Sequence, residues 1–377
     1  MTAPMCGSAG QSTGRRRPLL RYPSAPTRSP AGRRLLVGLF AAFAAPFPIF
    51  ALQRSTPQRG PADTRDISRG IQSQIVRVVR QAGPCVVSIS VPGHGLGESG
   101  LSGVVIDRQG HIATIAESLR AGRSVNISTA EGRQMPASIL GVDRRFHLAV
   151  LKVEPSDLPP VVMGDGRSMA AGTWVVAIGN PLGGGNTVTV GTLSARDRDI
   201  WQPGEQELEY LLQTDAAINA ENNGGAVVDL HGRLAGIAID VGRAREAQGI
   251  GFAIPSELVR RVCSDLISHG RFRGAWYGIL YRDLAAAELA RARTRGGMMV
   301  ERVHRGTPAR SSGILAGDVI TRFDGQPLRG RGDFRWRMIM AHPGERIKLE
   351  GVRRGRRITL TATLGTMPEV MPKWDKR

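Results

Sequence analysis

Nine short apolar runs between Cys85 and Ile239, each four to eight residues long and broken by Gly, Asp or Pro, constrain this chain more than any other feature. They are Cys85–Val91, Gly103–Asp107, Ser124–Ser128, Ala137–Leu140, Ala149–Val153, Thr173–Gly179, Thr187–Ser194, Gly225–Leu230 and Leu234–Ile239. Runs this short and closely spaced, with little helical periodicity between them, predict an all-β barrel or sandwich. Only Pro255–His269 reads as a substantial helix there, because Leu258, Val259, Val262, Leu266 and Ile267 fall on one face. A short helix is also expected over Ile71–Arg80, packing Ile71, Ile75, Val78 and Val79 onto the first strands.

A composition shift at Gly270–Gly274 marks a boundary. Beyond it the spacing predicts a strand at Gly297–Val303, a helical turn at Thr307–Gly313 and a strand opening at Gly317-Asp318-Val319-Ile320. A helix over Asp333–Ala341 and strands at Ile347–Val352 and Ile358–Leu364 complete an α+β unit of about 95 residues, a plausible domain size.

Charge divides the chain differently. The net +19 comes from its ends: residues 1–60 carry nine Arg and no acid, residues 61–270 are near neutral at −3, and residues 271–365 carry +12. Basic ends suit anionic lipid or acidic partners. Nucleic acid is not expected, since no reader motif is present.

Residues 35–52 are uncharged and apolar and follow Arg33-Arg34. Eighteen residues at 1.5 Å each reach about 27 Å, enough to cross a bilayer core. Residues 1–34 then read as a basic cytoplasmic segment, 35–52 as a single-pass inner-membrane anchor, and the bulk of the chain as extracytoplasmic or periplasmic. A signal segment ending near Ala51 is the alternative. Residues 53–70 read as a linker, 71–270 as the β domain, 271–365 as the second domain and 366–377 as a tail. Cys6, Cys85 and Cys263 lack metal-ligand or redox spacing, and Cys85 reads as a small core residue.

Ala171-Gly172-Thr173-Trp174-Val175-Val176-Ala177-Ile178-Gly179-Asn180-Pro181, Thr187-Val188-Thr189-Val190-Gly191, Gln213-Thr214-Asp215-Ala216-Ala217-Ile218-Asn219 and Gly249-Ile250-Gly251-Phe252-Ala253-Ile254-Pro255 form four contiguous segments. Together they resemble the HtrA/DegP family of trypsin-like serine proteases. The resemblance implies a double β-barrel of chymotrypsin type, two six-stranded barrels with the active site between them. By analogy it implies a possible homotrimer, and overall similarity alone implies an active serine endopeptidase.

The site residues depart from that pattern. A trypsin-like site needs a hydroxyl nucleophile, an imidazole base and an orienting carboxylate. The family's His follows the strand that is Gly110-His111-Ile112-Ala113-Thr114-Ile115-Ala116 here, and that position is Glu117. Its Asp precedes Leu148-Ala149-Val150-Leu151-Lys152, and that position is His147. Its nucleophile lies in Glu221-Asn222-Asn223-Gly224-Gly225, where Asn223 replaces Ser and Glu221 replaces the Gly of the oxyanion hole. Glu117 and His147 could pair with one another, but Asn223 offers nothing to activate. The pair lacks a third ligand for zinc, and neither metal nor other cofactor is expected. The degenerate site predicts a pseudoprotease.

The second domain resembles the family's PDZ module. Trp276-Tyr277-Gly278-Ile279 matches its carboxylate-binding loop, whose backbone N–H groups hold a peptide C-terminus. Gly306-Thr307-Pro308-Ala309, Ala316-Gly317-Asp318-Val319-Ile320 and Gly325-Gln326-Pro327 match its other signatures. The peptide is expected beside Ile279-Leu280-Tyr281, with Arg335 and Arg337 favouring acidic residues. Expected partners are peptide C-termini or unfolded proteins, with active HtrA paralogues as a further class.

Overall fold

A computed structural model describes residues 64–91, 101–116, 119–154, 157–181, 184–200, 208–220, 222–241 and 249–368. The expected basic segment, membrane anchor and most of the linker lie outside them. Among the described residues no helix is long and apolar enough to cross a membrane.

The chain enters through helix α1 (Thr64–Ala82), which starts within the stretch expected as linker. Ile67 continues the i, i+4 apolar spacing of Ile71 and Ile75 into residues 64–70, and farther along the helix Val78 and Ala82 are buried. Six strands then form a closed barrel: β1 (Val86–Ser90), β2 (Leu101–Val105), β3 (His111–Ile115), β4 (Ser124–Ser128), β5 (Gln134–Asp143) and β6 (Leu148–Val153), in the order 1-2-3-6-5-4. Its wall is continuous because Ile112, Ile115, Ile127, Leu148 and Leu151 are wholly buried. Each such side chain contributes about 1.5–3 kcal/mol over its exposed state.

A second ring follows from β7 (Val162–Met163), β8 (Trp174–Gly179), β9 (Thr187–Ile200), β10 (Leu208–Thr214), β11 (Ala226–Asp229), β12 (Arg233–Ile239) and β13 (Gly251–Pro255). Its order is 11-8-9-10-13-12, closed by pairing of β11 with β12, while β7 runs parallel to β12. These are the two six-stranded barrels the sequence implied. β3, β7, β10 and β13 were absent from the nine runs; for β10 the register against β9 shifts repeatedly and the burial does not alternate cleanly. Cys85 is a buried core residue, and burial pushes its thiol up to about 11.

Helix α2 (Ser256–His269) seals the barrels with Leu258, Val259, Val262 and Leu266, and ends where Gly270 N–H bonds Leu266 O. The remainder builds its own core around Phe334, Ile320 and Leu349. Its elements are β14 (Ala275–Trp276), β15 (Ile279–Asp283), α3 (Ala286–Ala292), β16 (Met298–Val303), α4 (Pro308–Ser311), β17 (Val319–Phe323), β18 (Gln326–Pro327), α5 (Arg331–Met340), β19 (Arg346–Arg353), β20 (Arg356–Thr363) and β21 (Gly365–Thr366). The main sheet runs 15-16-17-19-20, which leaves β15 as a free edge. β21 pairs with β14, so ordered structure continues into the stretch expected as tail.

Candidate functional site

The barrels meet at Ser102 on β2. Its N–H donates to Asn223 O at 2.8 Å, and its hydroxyl accepts from Asn180 N–H at 2.9 Å. The loop before β11 is held by Asn222, whose amide donates to Ala217 O at 2.7 Å and accepts from Asn219 N–H at 3.0 Å. Gly224 sits at φ +80°, and a Cβ there would lie 2.3 Å from Ser102 O, so only glycine fits this turn.

Asn223, at the expected nucleophile position, is only 5% exposed. Its side-chain oxygen accepts a 2.9 Å bond from Asp240 N–H, just past the end of β12. Two hydroxyls beside this turn are already committed. Thr114 Oγ1 donates to Ser102 O at 2.6 Å, Ser102 Oγ holds Asn180, and both residues are wholly buried.

His147 lies on the first barrel, at the start of β6. It occupies a left-handed conformation (φ +53°), uncommon for a residue with a Cβ. Asp143 shapes the preceding turn by accepting from Phe146 N–H at 2.9 Å, and His147 O accepts from Ala116 N–H at 2.9 Å. That bond, with Ile115 opposite Leu148, brings the end of β3 beside His147. Glu117 and Glu221 lie outside the described residues.

The second site is a cleft of about 240 Å³ between the segment Trp276–Ile279, β15 and α5. Tyr277 O accepts from Ala309 N–H at 2.9 Å, and Gly278 O accepts from His304 N–H at 3.0 Å. In a trans peptide the N–H points opposite the C=O. The N–H groups of Gly278 and Ile279 are therefore turned away from those inward bonds, toward the cleft. The His304 bond also makes Ile279 and Val303 a non-hydrogen-bonded pair, so Ile279 N–H faces the free edge. Gly278 holds φ +92°, and a Cβ there would lie 2.5 Å from Thr307 Cβ. Tyr277 anchors the turn, buried with its hydroxyl 2.7 Å from Ser312 Oγ.

Phe334 and Met338 of α5 face β15 across the cleft. At the far end Asp283 accepts from Arg331 N–H at 2.7 Å and ties the edge strand to the helix. Arg335 lines the cleft, and its guanidinium is paired with Glu209 of β10. Arg337 does not line it. It lies over the Phe323 ring and donates to Pro327 O at 3.4 Å.

Sequence reasoning missed the barrel's share of this cleft. Arg145 and Phe272 form part of its wall. Helix α5 is docked on β10 by Tyr210, whose hydroxyl donates to Gly332 O at 3.1 Å and whose ring meets Trp336 edge-on at 5.2 Å. Arg167 stacks 3.8 Å over Trp336.

Two barrels meeting at a nucleophile turn, followed by an edge-strand groove with a carboxylate-type loop, define a trypsin-like protease scaffold carrying a PDZ module. The model of the trypsin-like peptidase domain matches residues 101–237 and that of the PDZ domain residues 281–364. The periplasmic pH-dependent serine endoprotease DegQ of Escherichia coli (strain K12) is 34% identical over 281 residues, covering 73% of this chain and 60% of DegQ. A probable periplasmic serine endoprotease DegP-like of Marinomonas sp. (strain MWYL1) is 33% identical over 270 residues, covering 71% and 57%. The chain thus spans less than two thirds of these curated relatives. The solved HtrA-type protease AlgW with tripeptide superposes with a TM-score of 0.63 at 33% identity, covering 78% of this chain and 98% of that one. The chain belongs to the HtrA-type serine protease family.

Proposed function

We propose that this chain is a pseudoprotease, a catalytically silent HtrA scaffold that binds peptide C-termini or unfolded segments through its PDZ groove. The observation that carries the reading is the Asn223 amide, fixed to Asp240 N–H where a nucleophilic hydroxyl is required. An amide cannot be deprotonated by a neighbouring base at neutral pH, and the adjacent hydroxyls are buried and bonded. Losing the nucleophile removes the covalent route and leaves only the modest catalysis of binding. Glu221 at the oxyanion-hole position would repel a developing negative charge. The groove, by contrast, keeps its turn, its outward N–H groups and its free edge strand, the parts that strand addition needs.

A role in envelope quality control or as an adaptor for active paralogues follows from such binding. Residues 35–52 would hold the chain at the inner membrane with its bulk in the periplasm, the compartment in the names of its relatives. Those names also supply the competing reading, an active serine endopeptidase.

Two assays on the purified full chain separate the readings. Labelled casein should remain uncleaved. A free-acid peptide should bind, and amidating its C-terminus should weaken binding by about 1.5–3 kcal/mol, the range for charge-assisted hydrogen bonds. Cleavage of casein lost in Asn223→Ala would establish the endopeptidase. Equal affinity for the acid and the amide would remove the carboxylate loop as the binding determinant.

A further inference from the structure

The wall of the peptide groove opposite the PDZ module carries a cation that the fold leaves largely unanswered. Arg145 sits in the turn between β5 and β6, and its side chain enters the cleft beside Phe272 and Met367. Its Nη1 donates to the Met367 thioether at 3.0 Å, a weak acceptor for a guanidinium. Its other close neighbour is the Phe146 ring, 5.1 Å away. No carboxylate among the described residues forms an ion pair with it. Asp143 attracts it from two residues away, but that carboxyl accepts from Phe146 N–H and burial raises its pKa. Burial, and then the like charge of Arg335, hold the Arg145 guanidinium below its ordinary range.

The contrast with Arg335 is informative. Both cations line the cleft, but Glu209 forms its ion pair with Arg335 and attracts Arg145 only from beyond ion-pair distance. A half-buried arginine facing an apolar cleft with only sulfur and a ring as partners forgoes the bidentate carboxylate geometry for which a guanidinium is built. Tyr281 adds a donor in the same cleft, since burial pushes its phenol up and keeps it protonated. The Asp283–Arg331 tie limits how far a ligand can run along β15, so such contacts are made by its last few residues.

We infer that the groove is a two-domain site in which Arg145 of the barrel reads a second carboxylate, so that the ligand is a peptide C-terminus bearing Glu or Asp within its last four residues. The inference rests on the peptide-binding reading above and adds to it the ligand's acidity and the residue that selects it.

Calorimetry on the full chain tests it. The probes are N-acetyl-Ala-Ala-Ala-Ala-Ile and the variants with Glu or Gln at each of the three positions before Ile. At one position at least, Glu should bind about tenfold or more tighter than Gln, as expected of a charge-assisted bond. Arg145→Gln should reduce that preference to within about twofold, and Arg145→Lys should retain part of it. An all-Ala peptide that binds, loses affinity on amidation and shows no Glu preference would overturn the inference while leaving the groove reading intact. So would a Glu preference that persists in Arg145→Gln. Failure of every peptide to bind would overturn both.

Discussion

Asn223 and Asp240 are joined by a 2.9 Å hydrogen bond from the backbone N–H of Asp240 to the side-chain oxygen of Asn223. The residue at the nucleophile position thus works as a structural clamp between the turn before β11 and the end of β12. A serine hydroxyl is shorter by an atom and would have to leave this bond to attack a substrate. On the proposed reading, an asparagine here alters the cleft's architecture as well as its chemistry.

Asn223→Ala should leave the Asp240 N–H without its partner in a site that is nearly closed to water. The expected cost is about 1–3 kcal/mol, the penalty for an orphaned buried donor. Urea unfolding at constant m-value would measure it.

Asn223→Ser alone should yield no measurable casein turnover. Position 117 still holds a carboxylate instead of the imidazole base, and position 221 still carries a Glu. The combination Glu117→His, His147→Asp, Asn223→Ser and Glu221→Gly addresses every altered position, and turnover is expected only there. Robust cleavage by the single variant would mean that the base and oxyanion hole have been assigned wrongly.

The proposed substitutions are read from the sequence alone, each inside a contiguous motif whose flanking residues are intact. The carboxylate loop was legible for the same reason, since Tyr277 and Gly278 bring their structural demands with them. Arg145 was not. Its role depends on where α5 docks, and that docking joins Tyr210, Arg167 and Glu209 to a helix more than a hundred residues away. No local periodicity encodes such a contact. The β10 strand escaped notice because its bulges break the alternation that marks a half-buried strand.

Gly278→Ala is expected to lower both stability and peptide affinity. At φ +92° any Cβ is strained, and here it would also strike Thr307 at 2.5 Å. A loss of about 1–3 kcal/mol is the usual scale for a residue forced into such backbone. Thermal melts combined with peptide titration would read the two effects together. An unchanged melting temperature would contradict the geometry of the loop.

Glu257 should make stability depend on pH near neutrality. Burial, then a hydrogen bond to Asp165, raise its carboxyl from 4.5 to about 7. The folded state thus holds this proton over a range in which the unfolded chain has released it. Its stabilising contribution is complete below about pH 4.5 and is lost as pH rises through about 7. Asp165 is shifted the opposite way, chiefly by its bond to Glu257, and its own contribution fades only in acid below 3.8. Melting temperature should fall between pH 5 and 8 in the native chain, and Glu257→Gln should flatten that slope. An unaltered slope in the variant would place the titrating group elsewhere.

Treatment of the purified full chain with a fluorophosphonate probe, read by intact-protein mass spectrometry, tests the loss of the nucleophile most directly. With an amide at position 223 the chain should gain no covalent adduct, while an active HtrA protease labels in parallel. Stoichiometric labelling, above all labelling that survives Asn223→Ala, would reveal a nucleophile elsewhere in the chain and contradict the account.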